Sequence, residues 1–203
     1  MENKIKKISS WLGAGSVNIF GCPFAGKDTQ AHQLADIFNG SFIGGGDILR
    51  SYHDQDLVKK LMSTGDLFPT DLYLQIVLPY LSQPNLKEKP LFLSAIGRLQ
   101  GEEPVIMKAT SDSGHPMKAV VSLQLSDEQI WQRFDEAKVE NDRGSRIDDN
   151  REILKTRIKK FKDKTVPVIE FYRDKGLLIE VDGALSRQEV TNKIIDGLLA
   201  RTS

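Results

Sequence analysis

Val17-Asn18-Ile19-Phe20-Gly21-Cys22-Pro23-Phe24-Ala25-Gly26-Lys27-Asp28-Thr29-Gln30 is an apolar run, a glycine-bearing turn and a helix start, in that order. A short buried strand that runs into such a turn and leaves it as a helix is built to hold phosphate. Gly21 and Gly26 permit backbone dihedrals that aim successive N–H groups inward, and the helix adds its positive N-terminal end. Lys27 supplies a mobile cation for the outer phosphates. The spacing G-x-x-x-x-G-K is complete, although Asp28 stands where the common motif has Ser or Thr. Ala31, Leu34, Ala35 and Phe38 share one face of the following helix, as a βα unit requires. An ordinary βα turn would need neither the lysine nor both glycines.

Outward from this turn, short apolar runs alternate with helical patterns. Val17 to Phe20, Ser41 to Ile43, Leu91 to Ile96, Ala119 to Leu125 and Leu177 to Val181 read as strands. Helices are expected near 27–38, 47–62, 70–82, 126–140, 149–162, 165–175 and 186–200, with Ile5 to Leu12 a short helix or a flexible arm. Strands alternating with helices imply an α/β fold with a parallel sheet covered on both faces. Ligands of such sheets bind beyond the carboxyl ends of the strands, where the residue 21–27 turn would sit. Gln83 to Pro90 reads as a surface connection and Thr110 to Pro116 as a loop.

The 203 residues suit one substantial core, hence a single domain over 1–203 with an N-terminal extension at 1–16. Lys plus Arg equals Asp plus Glu at 28 each, so no net basic charge argues for nucleic acid or an anionic membrane. A single cysteine, Cys22, excludes an intrachain disulfide and a cysteine-based zinc site. Beside a helix N-terminus its thiol pKa can be lowered, or the residue can simply be small enough to fit. His32, His53 and His115 have no metal-ligand spacing. No stretch has the apolar length of a membrane span or the pattern of a signal peptide, so a cytoplasmic monomer acting on small molecules is expected. Basic residues cluster at Arg143, Arg146, Arg151, Lys155, Arg157, Lys159 and Lys160, which is either a solvated helix face or a phosphate clamp.

Five segments in order resemble one family. They are Gly21 to Gln30, the Gly46-Asp47-Ile48-Leu49-Arg50 segment, and the turn Gly65-Asp66-Leu67-Phe68-Pro69-Thr70-Asp71. Leu91 to Arg98 follows, where the family has a strand ending Asp-Gly-Phe-Pro-Arg, and then Arg146-Ile147-Asp148-Asp149-Asn150 with Arg157 beyond. The family is that of the adenylate kinases and their nucleoside monophosphate kinase relatives, and the resemblance covers about residues 17–200. It implies a three-layer P-loop kinase fold with a five-stranded parallel sheet, a helical acceptor-binding insertion at about 44–72 and a short lid at about 134–148. It also implies ATP as donor, magnesium as cofactor, and most simply ATP + AMP ⇌ 2 ADP. By resemblance Lys27, Arg98, Arg146 and Arg157 are catalytic. Gly21, Phe24, Ala25, Gly26, Lys27, Asp28 and Thr29 would hold ATP, with Arg133 against its adenine. Gly45, Asp47, Arg50, Gly97, Arg98 and Glu102 would line the acceptor site. Several guanidinium groups suit this chemistry, because each binds phosphate oxygens bidentately and stays charged.

The departures from the pattern are equally specific. Ser94 replaces the strand-three Asp that holds magnesium through water, while Asp28 introduces a carboxylate beside the phosphates. Two readings of Asp28 stay open: a metal-anchoring carboxylate moved from strand three, or a helix-capping one. Phe24 replaces a glycine, Ala137 stands where a second lid arginine is usual, and Gly44 and Gly45 replace hydroxyl-bearing residues. Arg143, in a slightly longer lid, would restore the lid's charge. Glu102 falls where AMP-specific members have a base-reading Gln, with Gln100 close by; Gln both donates and accepts, whereas Glu only accepts. Ser94, Ala137 and Phe24 together motivate a second reading, a nucleotide-binding protein with impaired catalysis.

Overall fold

The computed structural model describes residues 2–140 and 150–202, apart from the side chains of residues 139 and 140. Five strands form one all-parallel sheet in the order β2-β3-β1-β4-β5. They are β1 (Ser16–Gly21), β2 (Ser41–Gly44), β3 (Leu91–Ser94), β4 (Met117–Gln124) and β5 (Leu178–Asp182). The expected strands are all present, because runs with both faces covered are apolar throughout. Side chains alternate: Val17 and Ile19 enter one core layer and Phe20 the other, while Phe92 opposes Leu91 and Leu93.

One face is covered by α1 (Glu2–Leu12), α2 (Lys27–Ile37) and α10 (Arg187–Leu199), through Ile8, Leu12, Leu34, Ile194 and Leu198. The segment expected as helix or arm is therefore a packed helix. On the other face lie α3 (Gly45–Ser51), α4 (Gln55–Met62), α5 (Thr70–Leu81), α6 (Glu103–Asp112) and α9 (Val166–Asp174). A small third cluster of Cys22, Ile130, Phe134, Leu154 and Ile158 joins α7 (Asp127–Glu140) to α8 (Arg151–Lys160).

Four expectations change. The helix expected over 47–62 is two helices, because Asp54 accepts a hydrogen bond from the Leu57 N–H at 3.0 Å and starts a new N-terminus. α6 was not expected, since its buried face holds only Glu103, Ile106 and Thr110, two of them polar. Its signal was Pro104 in the first turn. The helices expected at 149–162 and 165–175 are joined by one π turn, Phe161–Thr165. The expected loop over 110–116 includes the end of α6, and its His115 Nδ1 lies 2.7 Å from the Ala14 carbonyl oxygen just before β1.

β1 and β3 are neighbours, yet α2, which follows β1, packs on one face and α6, which follows β3, on the other. That divergence opens a crevice between the two loops at the carboxyl end of the sheet. Among the described residues no helix is long and apolar enough to cross a membrane.

Candidate active site

The turn after β1 is shaped by crowding and by two left-handed residues. A Cβ on Gly21 would lie 2.9 Å from that of Ala25, so Gly21 is required by close approach, not by a positive φ. Gly26 has φ +84° and caps α2 without a side chain, which leaves the first-turn N–H groups facing the turn. Phe24 has a left-handed backbone, with φ +67°. Its ring meets Phe134 of α7 edge-on, with centroids 5.4 Å apart. Cys22 is buried beneath, and desolvation, with Asp127 adding to it, pushes its thiol up to about 11. The lowered-pKa reading of Cys22 is therefore corrected: burial outweighs the helix N-terminus.

Phe24 to Gln30, Arg133, Glu136, Ala137, Gly183, Leu185 and Arg187 line an open cleft of about 450 Å³. Arg133 donates to the carbonyls of Phe24 at 3.3 Å and Gly183 at 2.5 Å, which fixes its guanidinium at the edge of this cleft. A narrower cleft adjoins it, lined by Gly45, Gly46, Leu49, Arg50, Leu67, Arg98, Glu102 and Arg157 among others. Lys27 and Asp28 line both. Arg50 pairs with Asp47 at 2.5 Å. In this narrower cleft the helical segment at 44–72 also meets α8: Lys160 pairs with Asp66 at 2.6 Å, and a Cβ on Gly65 (φ +71°) would sit 3.0 Å from the Ile153 carbonyl oxygen.

Arg98 stands on a turn held from four directions. Asn18 of β1 donates to the Ile96 carbonyl at 2.7 Å and accepts from the Ile96 N–H at 3.3 Å. The Tyr73 hydroxyl of α5 accepts from the Gly97 N–H at 3.1 Å. Glu102 Oε2 accepts from the N–H groups of Arg98 at 2.7 Å and Leu99 at 3.0 Å. Thr165, in the π turn, donates to the Arg98 carbonyl at 3.2 Å. Burial, reinforced by the neighbouring Arg157 charge, holds the Arg98 guanidinium down to about 10. Arg98 and Arg157 line the same cleft, and two guanidinium groups so placed can hold an anion between them.

Glu102 lines the narrow cleft as expected, but its carboxylate is engaged by the turn and by the Thr70 hydroxyl. Burial raises its carboxyl above the ordinary range despite those bonds. Its observed work is to shape the Arg98 turn. Gln100 is exposed. Ser94, fully buried at the end of β3, donates a short hydrogen bond to Asp28 Oδ1, which lies 3.9 Å from Lys27 Nζ. Arg143 and Arg146, with most of the expected lid, lie outside the described residues. On the flanks of the lid, Arg151 Nη2 lies 2.7 Å from both carboxylate oxygens of Asp135. Sequence reasoning missed Asn18, Tyr73 and Thr165; only Asn18, a polar residue inside an apolar strand, carried a signal.

A phosphate loop at the switch point of a parallel sheet, with two clefts meeting at its lysine, defines a P-loop phosphotransferase. The sequence model of the family described as Adenylate kinase matches residues 19–177. The chain is 34% identical over 182 residues to an adenylate kinase of Xanthomonas oryzae pv. oryzae, covering 87% of this chain and 95% of that protein. It is 32% identical over 181 residues to one of Parvibaculum lavamentivorans (87% and 88% covered). To one of Thermus thermophilus it is 30% identical over 190 residues (90% and 97% covered). The chain belongs to the adenylate kinase family.

Proposed function

We propose that this protein transfers the γ-phosphoryl group of ATP to AMP, reversibly, with Lys27, Arg98, Arg146 and Arg157 as the cationic machinery. The observation that carries this reading is the meeting of the two clefts at Lys27. ATP would lie in the open cleft, its phosphates on the first-turn N–H groups of α2 and its base against Arg133. AMP would lie in the narrow cleft, its phosphate on Arg50 and Arg98. The acceptor phosphate then attacks in line, and Lys27, Arg98 and Arg157 neutralise the charge spread over the transferring group. No covalent intermediate is needed, since positioning and charge neutralisation supply the rate. Segments 44–72 and 134–148 would close over the nucleotides to exclude water.

Magnesium, held beside Asp28, would supply positive charge that offsets the charge of the phosphates. The donor set fits it: Asp28 presents a carboxylate, a hard oxygen ligand, where the clefts join. We place the protein in the cytoplasm as a monomer, and light scattering tests the latter. A coupled assay of ATP against AMP, CMP, UMP, GMP and the deoxynucleoside monophosphates tests the function. Turnover is expected with AMP foremost; no turnover with any acceptor would overturn the reading.

A further inference from the structure

We propose that Asp28 is the carboxylate that anchors the nucleotide-bound magnesium, and that Ser94 is its positioning residue. This rests on the phosphotransferase reading of the same site. Asp28 sits beside Lys27 and at the junction of both clefts, where the phosphates of two nucleotides would gather. A carboxylate there repels those phosphates unless a cation lies between them, and with one between, it becomes a ligand.

The geometry of the pair favours the second case. Asp28 lies two residues beyond the Gly26 cap, inside the first turn of α2. Its Oδ1 is turned across to β3, where Ser94 Oγ donates to it. Ser94 is opposite Ile19 on one side and Gly44 on the other, so the hydroxyl stands on the centre of the sheet and not on a mobile arm. A donor so fixed orients a charged acceptor as an outer-shell partner orients a metal ligand. Two residues 66 positions apart are thus in direct contact, the strand's hydroxyl against the helix's carboxylate.

Manganese is the probe, because free Mn²⁺ is counted by its electron paramagnetic resonance signal without any turnover. Titrations use the wild type, Asp28→Asn, Ser94→Ala, Asp28→Ala and Asp28→Ala/Ser94→Asp, each saturated with ADP, beside calorimetry of ADP alone. Asp28→Asn should weaken Mn²⁺ binding to the ADP complex at least about tenfold, and Ser94→Ala less, in the same direction. Metal-free ADP affinity should stay the same or tighten in Asp28→Asn, since a charge that repels phosphate is gone. Asp28→Ala/Ser94→Asp should bind Mn²⁺ more tightly than Asp28→Ala, because the carboxylate is restored from the opposite side. Thermal melts show whether each variant is folded, and Asp28→Asn keeps the shape of the original side chain. Mn²⁺ affinity within about twofold of wild type in Asp28→Asn, well below the loss expected of even an outer-shell partner, overturns the inference while leaving the nucleotide site intact. Absence of ADP binding by the wild type overturns the nucleotide reading, and this inference with it.

Discussion

The loops that leave β1 and β3 lie side by side and share a backbone device, but they are held in opposite ways. In the first, Phe24 (φ +67°) is followed two residues later by Gly26 (φ +84°); in the second, Ala95 (φ +50°) is followed by Gly97 (φ +74°). Each keeps a non-glycine residue in the left-handed region, where strain of roughly 1–2 kcal/mol is stored at functional sites. In the first loop the Ala25 N–H bonds the Cys22 carbonyl and the Gln30 N–H that of Gly26, while Arg133 of α7 reaches in to the Phe24 carbonyl. The second is tied to nearby Glu102 and also to three distant residues, Asn18, Tyr73 and Thr165, from three separate elements. The backbone of the first loop rests more on its own residues, that of the second more on the packing of the domain. Mutations should therefore act differently on the two.

The largest effect belongs to the first loop. Lys27→Met keeps most of the side chain's bulk and removes its charge, so turnover should fall at least about a hundredfold, roughly 2.7 kcal/mol. The melting temperature should hardly move, because no core contact is lost. Steady-state kinetics beside a thermal melt check this, and near-normal turnover in a folded variant would mean that the residue 21–27 loop is not the phosphate site.

In the second loop, function and stability should fall together. Glu102→Ala leaves the Arg98 and Leu99 N–H groups without their acceptor, at a cost of roughly 1–3 kcal/mol. Because Arg98 loses its support, KM for AMP should rise well before KM for ATP. Equal changes in both would show that the turn does not depend on Glu102. The same residue has a pH signature. Its raised carboxyl favours the protonated native state, a contribution present below the ordinary value of 4.5 and lost as pH rises through the folded value. Glu102→Gln cannot ionise, so the unfolding free energy of wild type minus that of Glu102→Gln should fall as pH rises above the ordinary value of 4.5. Chemical denaturation at several pH values reads this difference, and a flat one contradicts it.

Smaller still are the effects of relieving the two left-handed residues. Ala95→Gly should stabilise by about 0.5–1 kcal/mol, the strain removed minus the entropy cost of glycine. Phe24→Gly forfeits the edge contact with Phe134, worth roughly 0.5–1.5 kcal/mol, and should be neutral or destabilising. Paired urea titrations compare them; a reversed order would mean that the Phe24 ring contributes nothing. The smallest effect is at Cys22, whose buried thiol, pushed up to about 11, should react with iodoacetamide much more slowly than a free cysteine at pH 8.

How far each region was legible follows the same division. The five strands could be read because both sheet faces are covered, which makes each strand apolar throughout. The break at Tyr52 and His53 inside the expected 47–62 helix could not, because the periodicity carries across it while Asp54 restarts the hydrogen bonding. α6 escaped because its inward face includes Glu103 and Thr110, whose polarity is satisfied only in the folded chain. The junction of α8 and α9 was hidden because a π turn leaves the residue pattern helical and only shifts its phase.

By itself the sequence determined that the chain carries a strand, a phosphate-holding turn and a helix at 17–37, since backbone dihedrals and N–H directions there are set by residues a few positions apart. It also determined the alternation that makes a parallel sheet. Only the tertiary structure decided that Asn18, Tyr73 and Thr165 hold the Arg98 turn, and that Asp28 and Ser94, 66 positions apart, touch. Side-chain hydrogen bonds act over about 3 Å, and which groups come that close depends on how every element packs, not on the residues between them.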